Sequence, residues 1–589
     1  MAVNIAWCAL TPGGLALAEK LRAQIGAGVV HDAKQTASPA AHMRELFAAG
    51  NAVVGICAAG ILIRAVAPLL KDKKNEPPLI AVAENGGVVV PLLGGHRGGN
   101  ALAQKIAAAL GAAAAVTTMG EVRFGIALDA PPPGWTLANP QHYKKFAARL
   151  AAGGKVKLHG EAGWLAESAL PFCADGALTL TATAQAAPGG EGELVFHPKC
   201  LAVGVGCERG VESAELAALV ERALRGANLA PQSVAVVASI ALKADEPAVH
   251  AVAAALGAPA RFFDAGDLEA LAHRLKNPSA KVFAETGCHG VAEGAALAAG
   301  GGAAELIIAK QKSARATCAV ARAAGLIDAD AAGRARGCLS VVGIGPGDAA
   351  SRTPAAAAAI AAAEDVVGYT LYLDLLGAPA AGQRRHDSAI GDERGRVRAA
   401  LELAAAGRRV ALVCSGDAGI YALASLVFEE WERGMAEAAW KTVEVRVVPG
   451  VSAMQAAAAR AGAPLGHDFC AVSLSDLLTP WGVIARRVQA AADGDFVVAF
   501  YNPASRKRAR LLDRARDILL QQRGAETPVV VARNLGRGGE TVVHTTLGEL
   551  RGGEVDMFTI VVVGASGSRT VQTVDGARMW TPRGYESKK

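Results

Sequence analysis

The chain has 589 residues, 52% hydrophobic and 19% charged, enough apolar residues to fill the cores of roughly three to five domains. Its 68 glycines and 4% aromatic content exclude a ring-built platform for single-stranded nucleic acid. The net charge of +6 is too small for this length to coat a duplex-binding surface, and it suits polyanionic small molecules.

Short β-branched runs alternate with Ala-rich stretches, the pattern of parallel α/β domains. Strands are expected at 3–7, 52–57, 79–83 and 88–91, with a helix over 101–110. The pattern degrades across 129–195, where three prolines (131–133), a Gly-Gly-Glu-Gly run and short alternating runs such as 178–183 point to a small intermediate region or a loop-rich insert. A fresh unit opens at 201–206 and continues through strands expected at 234–240, 282–285 and 306–309. Residues 324–338 alternate small with charged side chains, have no strand signal, and read as a linker. The predicted organisation is therefore 1–121, 122–196, 197–323, the linker 324–338, and a last α/β unit over 339–589. The Ala runs at 355–363 and 456–459 read as helices, because Ala is the best helix former.

The ten cysteines contain no C-x-x-C pair, so buried reduced thiols are expected rather than a zinc site or a disulfide framework. No metal is expected. The amino terminus lacks a basic n-region and a long apolar core, and the most apolar stretch, 52–70, carries Arg64 and Pro68 and is short for a membrane span. A cytoplasmic protein with no membrane or nucleic-acid partner is expected.

The last unit carries the densest chemistry. The segment 339–348, L-S-V-V-G-I-G-P-G-D, is a strand running into a glycine turn. Its spacing differs from the dinucleotide fingerprint: Pro346 interrupts the loop, the helix starts later at Thr353-Pro354, and Glu364-Asp365 precede the next strand instead of ending it. Further strands end in S-G-D-A-G-I-Y (415–421), P-G-V-S-A (449–453), Y-N-P (501–503) and F-T-I-V-V-V-G (558–564). Successive strands closing in small-residue turns place backbone groups along one rim of a sheet, where open α/β folds bind ligands. Candidate cofactor contacts are Gly345, Pro346, Gly347, Gly416, Asp417, Ala418, Ile420, Tyr421, Ser452, Ala453, Tyr501, Asn502 and Thr559. Asp417 also stands as a candidate catalytic group, and Asp348 and Asp417 are equally suited to being turn residues.

These motifs in this order resemble the S-adenosylmethionine-dependent tetrapyrrole methylases, over about 339–575. Within them, S-G-D-A-G-I-Y, V-G-Y-x-x-Y at 367–372 and the stretch 467–481 are similar to the precorrin-3B C17-methyltransferases. The resemblance implies two α/β lobes forming a trough, S-adenosylmethionine as cofactor, a homodimer through this half, and C17 methylation that accompanies contraction of the macrocycle. A precorrin is fringed with carboxylates, so Arg384, Arg385, Arg394 and Arg396 are candidate partners, since Arg grips carboxylates bidentately. A basic helix after Asn502 (Arg506, Lys507, Arg508, Arg510) is another, or simply a solvated face. His467 reads as structural rather than as a base.

In the first half, L-L-G-G-H-R-G-G-N (92–100) places His96 and Arg97 among glycines at the start of a helix, a setting for anions and for proton transfer by His. Farther on, G-V-G-C-E-R-G (204–210) and K-A-D-E (243–246) cluster charge just after strands. With G-I-L-I-R-A-V-A-P-L-L (60–70), these segments resemble the cobalt-precorrin-5A hydrolases over about 1–323, which open a lactone and release acetaldehyde. One departure is M-G-E-V-R-F-G after Thr118, where that family tends to carry an Asp-led segment. Lactone opening needs an activated water and an oxyanion partner; His96 is the candidate proton-transfer group, with Lys243 and Glu246 as alternatives, and Arg64, Arg97 and Arg209 as substrate carboxylate partners. A binding-only role for 1–323, holding or delivering the tetrapyrrole, stays open at this point.

Overall fold

In the computed structural model the chain divides into two units, Met1–Arg334 and Ala335–Lys589. The structure describes residues 4–36, 38–71, 76–380, 382–434, 438–503 and 510–585.

The first unit contains three sheets. The first runs Val29–Asp32, Ile5–Ala9, Ala52–Ile56, Leu79–Val82, Val88–Leu93, Ala113–Ala114, parallel except where Val88–Leu93 turns back along Leu79–Val82. Its inner strands are buried on both faces, which is why they read as continuous apolar runs. The second sheet makes the middle a small folded region rather than a loop-rich insert. Trp135–Leu137, Glu193–Pro198, Leu178–Ala182 and Val156–His159 form four strands over their own core, in which Phe146, Leu165 and Phe196 are buried. The Trp164 ring meets Phe196 edge-on at 5.2 Å. The third sheet orders Ala260–Phe263, Val234–Ile240, Leu201–Cys207, Ala316–Arg322 and Glu305–Lys312, parallel in the first three and antiparallel beyond.

Two expectations fail here. The strand expected at 282–285 is part of the helix Ala280–Thr286. Ser279 caps it by accepting from the Val282 amide, and Gly287 ends it in the left-handed region at φ +76°; these local signals outweigh two β-favouring side chains. The expected linker is docked for most of its length. The Ile327 amide donates to the Lys199 carbonyl, Arg334 exchanges backbone bonds with Phe262 at 2.8 and 2.9 Å, and its guanidinium grips Asp264 bidentately. Only the few residues on either side of 334 pass from one unit to the next.

The second unit has two larger sheets and a small one. The first, wholly parallel, runs Arg384–Ser388, Asp365–Tyr369, Arg409–Cys414, Cys338–Gly343, Glu444–Val448. The second runs Phe469–Ser473, Val497–Tyr501, Thr559–Val563, Pro528–Arg533, Thr541–Thr546, with only its first pair parallel. The Ala runs lie in helices as expected: Thr353 caps Pro354–Ala362, and Ser452 with Gln455 forms a capping box on Ala453–Ala461. All ten cysteines are free thiols, and burial pushes that of Cys414 up to about 11.

At the start of its strand, Asp365 has no exposed side-chain surface. Its carboxylate accepts from Arg384 Nε at 2.9 Å and from Arg408, and lies 2.8 Å from His386 Nε2. Burial acts to raise its pKa, and these three partners outweigh it, holding the group at about 2. A carboxyl that binds protons more weakly folded than unfolded stabilises the fold above its unfolded pKa and loses that contribution as pH falls. The Tm difference between wild type and Asp365→Asn is therefore expected to be full at neutral pH and to shrink between about pH 4 and pH 2. A pH-independent difference would contradict this account.

Candidate active site

Three turns meet at the carboxyl edge of the parallel sheet in the second unit. Gly345 and Gly416 exchange backbone hydrogen bonds at 3.1 and 2.8 Å, both in the left-handed region. A Cβ at Gly343 would lie 2.6 Å from the Gly416 carbonyl oxygen and 2.9 Å from the Gly450 amide. Glycine is required there because main chain packs on main chain. Asp417 ties the crossing together: its Oδ1 accepts from the Gly419 amide at 2.8 Å and its Oδ2 from the Gly450 amide at 3.0 Å. Both carboxylate oxygens serve loops, the contacts of a positioning residue.

Above this crossing lies a pocket floored by Gly416, Asp417, Ser452 and Ala453, walled by Tyr421, Tyr501 and Phe558, and reached by Asn502 and Thr559. Pro346 and Ile420 also line it. Tyr421 and Asn502 both hold positive φ, 50° and 51°, and their side chains are tied down: Tyr421 donates to the Ala471 carbonyl and Asn502 to Ser473 Oγ. The Tyr501 hydroxyl accepts from the Met454 amide, and burial raises its pKa. Gly345, Gly347 and Ala418 do not line the pocket. Gly345 supports it from beneath through its bonds to Gly416, Ala418 is fully buried, and Gly347 makes room for the stem of Arg537.

The arginines expected to meet substrate are mostly engaged with the protein. Arg384 is paired with Asp365, Arg385 with Asp374 and Asp387, and Arg394 with Glu430. Arg396 donates to Ser388 Oγ and the Ala389 carbonyl, and lines a second hollow beside Tyr369 and Tyr372. His467 is exposed beside Asp468, and Asp348 accepts from Ser351, as a turn residue does. Arg506, Lys507 and Arg508 lie outside the described residues.

In the first unit the expected residues fall into separate places. The glycine loop with His96 and Arg97 leaves the first sheet where Leu93 pairs with Leu79, at the amino-terminal edge of the parallel strands. Arg64 instead folds back onto the Gly60 carbonyl, toward the start of a helix that follows the carboxyl end of Ala52–Ile56. The His96 side chain lies outside the described residues, and Arg97 is exposed. Next to this loop, buried Asn100 donates to Thr118 Oγ1 at 3.0 Å and to Glu121, so the departing segment 119–125 brings a carboxylate of its own. Lys243, Glu246 and Arg209 stand together on the third sheet. Glu246 is fully buried and accepts from the Gly210 amide at 3.1 Å; Lys243 Nζ is 3.6 Å and Arg209 Nη1 3.8 Å away. Arg209 is further held by Asp245 at 2.5 Å and the Leu242 carbonyl. Glu246 thus faces the loop and not solvent. Among the described residues no group of three or more His, Cys, Asp or Glu is placed to hold a metal, and no helix is long and apolar enough to cross a membrane.

Residues 339–551 match the tetrapyrrole (corrin/porphyrin) methylases, and the chain is 48% identical over 247 residues to a probable cobalt-factor III C(17)-methyltransferase of Salmonella typhimurium, covering 99% of that protein and 42% of this chain. The chain belongs to the tetrapyrrole methylases. It is also 46% identical over 251 residues to a precorrin-3B C(17)-methyltransferase of a Sinorhizobium species, covering 97% of it and 42% of this chain. Against the cobalamin biosynthesis protein CobIJ of Mycobacterium tuberculosis the identity is 45% over 253 residues, 42% of this chain and 48% of that one, so this chain spans about half of that relative. Residues 41–121 and 201–321 match the amino- and carboxyl-terminal families of cobalamin synthesis G, which leaves the middle sheet outside either match. Within the methylase part, sequence reasoning missed Tyr372, Ser415, Asn534, Arg537 and Phe558 as lining residues. The V-G-Y-x-x-Y motif held the signal for Tyr372, and Asn534-Leu-Gly-Arg537 is a polar turn after a buried strand, the same signal that marked the other loops.

Proposed function

We propose that the protein is a bifunctional enzyme of cobalamin biosynthesis. Its second unit methylates precorrin-3B or its cobalt form at C17 with contraction of the ring, and its first unit opens the lactone of cobalt-precorrin-5A with release of acetaldehyde. The observation that carries the first activity is the glycine crossing, within the residues that match the methylases, beneath an aromatic-walled pocket. The lining fits S-adenosylmethionine: flat Tyr and Phe walls for an adenosine, hydroxyl and amide groups at Ser415, Ser452, Asn502 and Thr559 for its polar rim. When bound, the cofactor supplies an electrophilic methyl group on sulfonium. The chain's own contribution is positioning: Asp417 fixes two loops, the Ser452 capping box fixes a helix start, and the aromatic walls exclude water. Holding donor and acceptor in line accounts for a large share of such a rate. The proposal extends to a homodimer formed through this unit, checked by sedimentation of the full chain; a monomer would remove that element.

The test is product analysis. The full chain with methyl-labelled cofactor and metal-free or cobalt-loaded substrate is expected to give a ring-contracted product labelled at C17 by NMR. A methyl at any other carbon would end the assignment. For the first unit, the burial of Glu246 favours a second reading, in which this unit holds the tetrapyrrole without chemistry. Acetaldehyde released from cobalt-precorrin-5A above a protein-free blank supports hydrolysis, and none supports the second reading.

A further inference from the structure

Arg537 differs from the paired arginines of the same unit. It sits on the turn after Pro528–Arg533, where Asn534, Gly536 and Gly539 hold positive φ and its own amide donates to the Asn534 carbonyl at 2.9 Å. The turn is pinned at its far end, where Glu540 accepts from the Gly536 amide at 2.6 Å and from Arg460 at 2.9 Å. From this base the side chain crosses to the loops of the parallel sheet. Its Nε donates to the Pro346 carbonyl at 2.9 Å and its Nη2 to Ser415 Oγ at 2.7 Å. Its stem occupies the space a Cβ at Gly347 would fill, 2.5 Å from Cγ. Its guanidinium carbon lies 5.8 Å from the centre of the Tyr372 ring and 6.0 Å from that of Phe558.

Every one of these partners is neutral. Among the described residues no carboxylate is within ion-pair distance of Arg537, whereas Arg384, Arg385 and Arg394 of the same unit are paired with Asp365, Asp374, Asp387 and Glu430. The carboxylate that lines the same pocket, Asp417, is committed to two backbone amides. A guanidinium has five N–H donors in a planar fork, and the contacts to Pro346 and Ser415 leave Nη1 unused. Burial in the pocket wall also lowers its pKa, the mark of a cation short of compensating charge. A half-buried, positioned and uncompensated fork on a ligand pocket is complementary to a planar carboxylate.

We infer that Arg537 is the residue that takes a ligand carboxylate in this pocket, an inference that rests on the methylase reading above. Two ligands of that reaction carry the group: the amino-acid end of the cofactor, and the acid side chains of the tetrapyrrole. The experiment separates them. Binding of S-adenosylhomocysteine and of methylthioadenosine, which keeps the nucleoside thioether but lacks the carboxylate, is measured by calorimetry on the full-length wild type, Arg537→Gln and Arg537→Lys. The KM and kcat for the tetrapyrrole are measured alongside.

If the cofactor is the source, Arg537→Gln weakens S-adenosylhomocysteine about 10- to 100-fold, the range of a lost charge-assisted bond. Methylthioadenosine then stays within about twofold, and Arg537→Lys recovers part of the loss. If the tetrapyrrole is the source, both nucleosides bind normally and the KM rises by a similar factor. Equal weakening of both nucleosides would mean that Arg537 only clasps the loops, and would overturn the inference. So would unchanged binding and unchanged KM in an active Arg537→Gln enzyme, with the methylase reading left standing. A wild type that binds neither nucleoside would overturn the reading and the inference together.

Discussion

Replacing Gly450 with alanine is expected to cut methyl transfer about a hundredfold or more and to destabilise the second unit by about 3 kcal/mol or more, at the upper end of what overpacking costs. The added Cβ would lie 2.2 Å from the Gly416 carbonyl oxygen, 2.5 Å from that of Gly343 and 2.7 Å from the Gly343 carbonyl carbon. All three are main-chain atoms of loops that already bond one another, so none can move aside as a side-chain tip would. Relief requires one loop to shift by about an ångström, a displacement that costs on the order of a hundredfold in rate when it reaches the reacting geometry. It would also break the bond from the Gly450 amide to Asp417 Oδ2. The control is Gly482→Ala near the start of the helix Trp481–Asp493, where a Cβ meets nothing within 4 Å; it should leave activity intact and add a few tenths to about 1 kcal/mol. Thermal unfolding and initial rates on the two variants check this, and a Gly450→Ala enzyme with wild-type activity would refute the account of the crossing.

The glycine crossing was legible because strand ends, small residues and capping pairs are local signals. A strand followed by G-D-A-G or G-V-S-A has few ways to continue, and Ser452 with Gln455 announces its own helix. What the sequence could not disclose was partnership at a distance. Arg384 and Arg385 read as substrate partners because nothing local shows that Asp365, nineteen positions before Arg384, has claimed it. Arg537 escaped notice for the opposite reason: its contacts lie 191 and 122 positions away, at Pro346 and Ser415. Of the two misread segments, the first missed local caps and only the second missed distant partners. Residues 282–285 look extended until Ser279 and Gly287 are counted as caps, and 324–334 looks free until Phe262 and Asp264 are found beneath it. In the first unit, proximity in motif space between Arg64 and His96 did not mean proximity in the sheet, because the antiparallel return of Val88–Leu93 carries the glycine loop to the opposite edge.

Glu246→Ala is expected to destabilise the first unit by about 3–5 kcal/mol, the cost of removing one partner from a buried ion cluster. The carboxylate has no exposed surface, and it is the acceptor for the Gly210 amide. Lys243, whose side chain is 13% exposed, would be left with its ammonium facing a cavity, while the more exposed Arg209 would keep Asp245 and lose little. Glu246→Gln keeps the shape and an acceptor for Gly210 but removes the charge opposite Lys243, so a smaller loss of about 1–3 kcal/mol is expected. The two variants divide structure from chemistry. If Glu246 positions the 207–210 loop, urea unfolding of both variants shifts in that order, and acetaldehyde release by Glu246→Gln persists at a reduced rate. If the carboxylate itself moves a proton, Glu246→Gln releases no acetaldehyde while unfolding close to the wild-type midpoint. The burial of both oxygens against main chain argues for the first outcome: a base must reach the proton it takes, and this one would have to leave the Gly210 amide to do so.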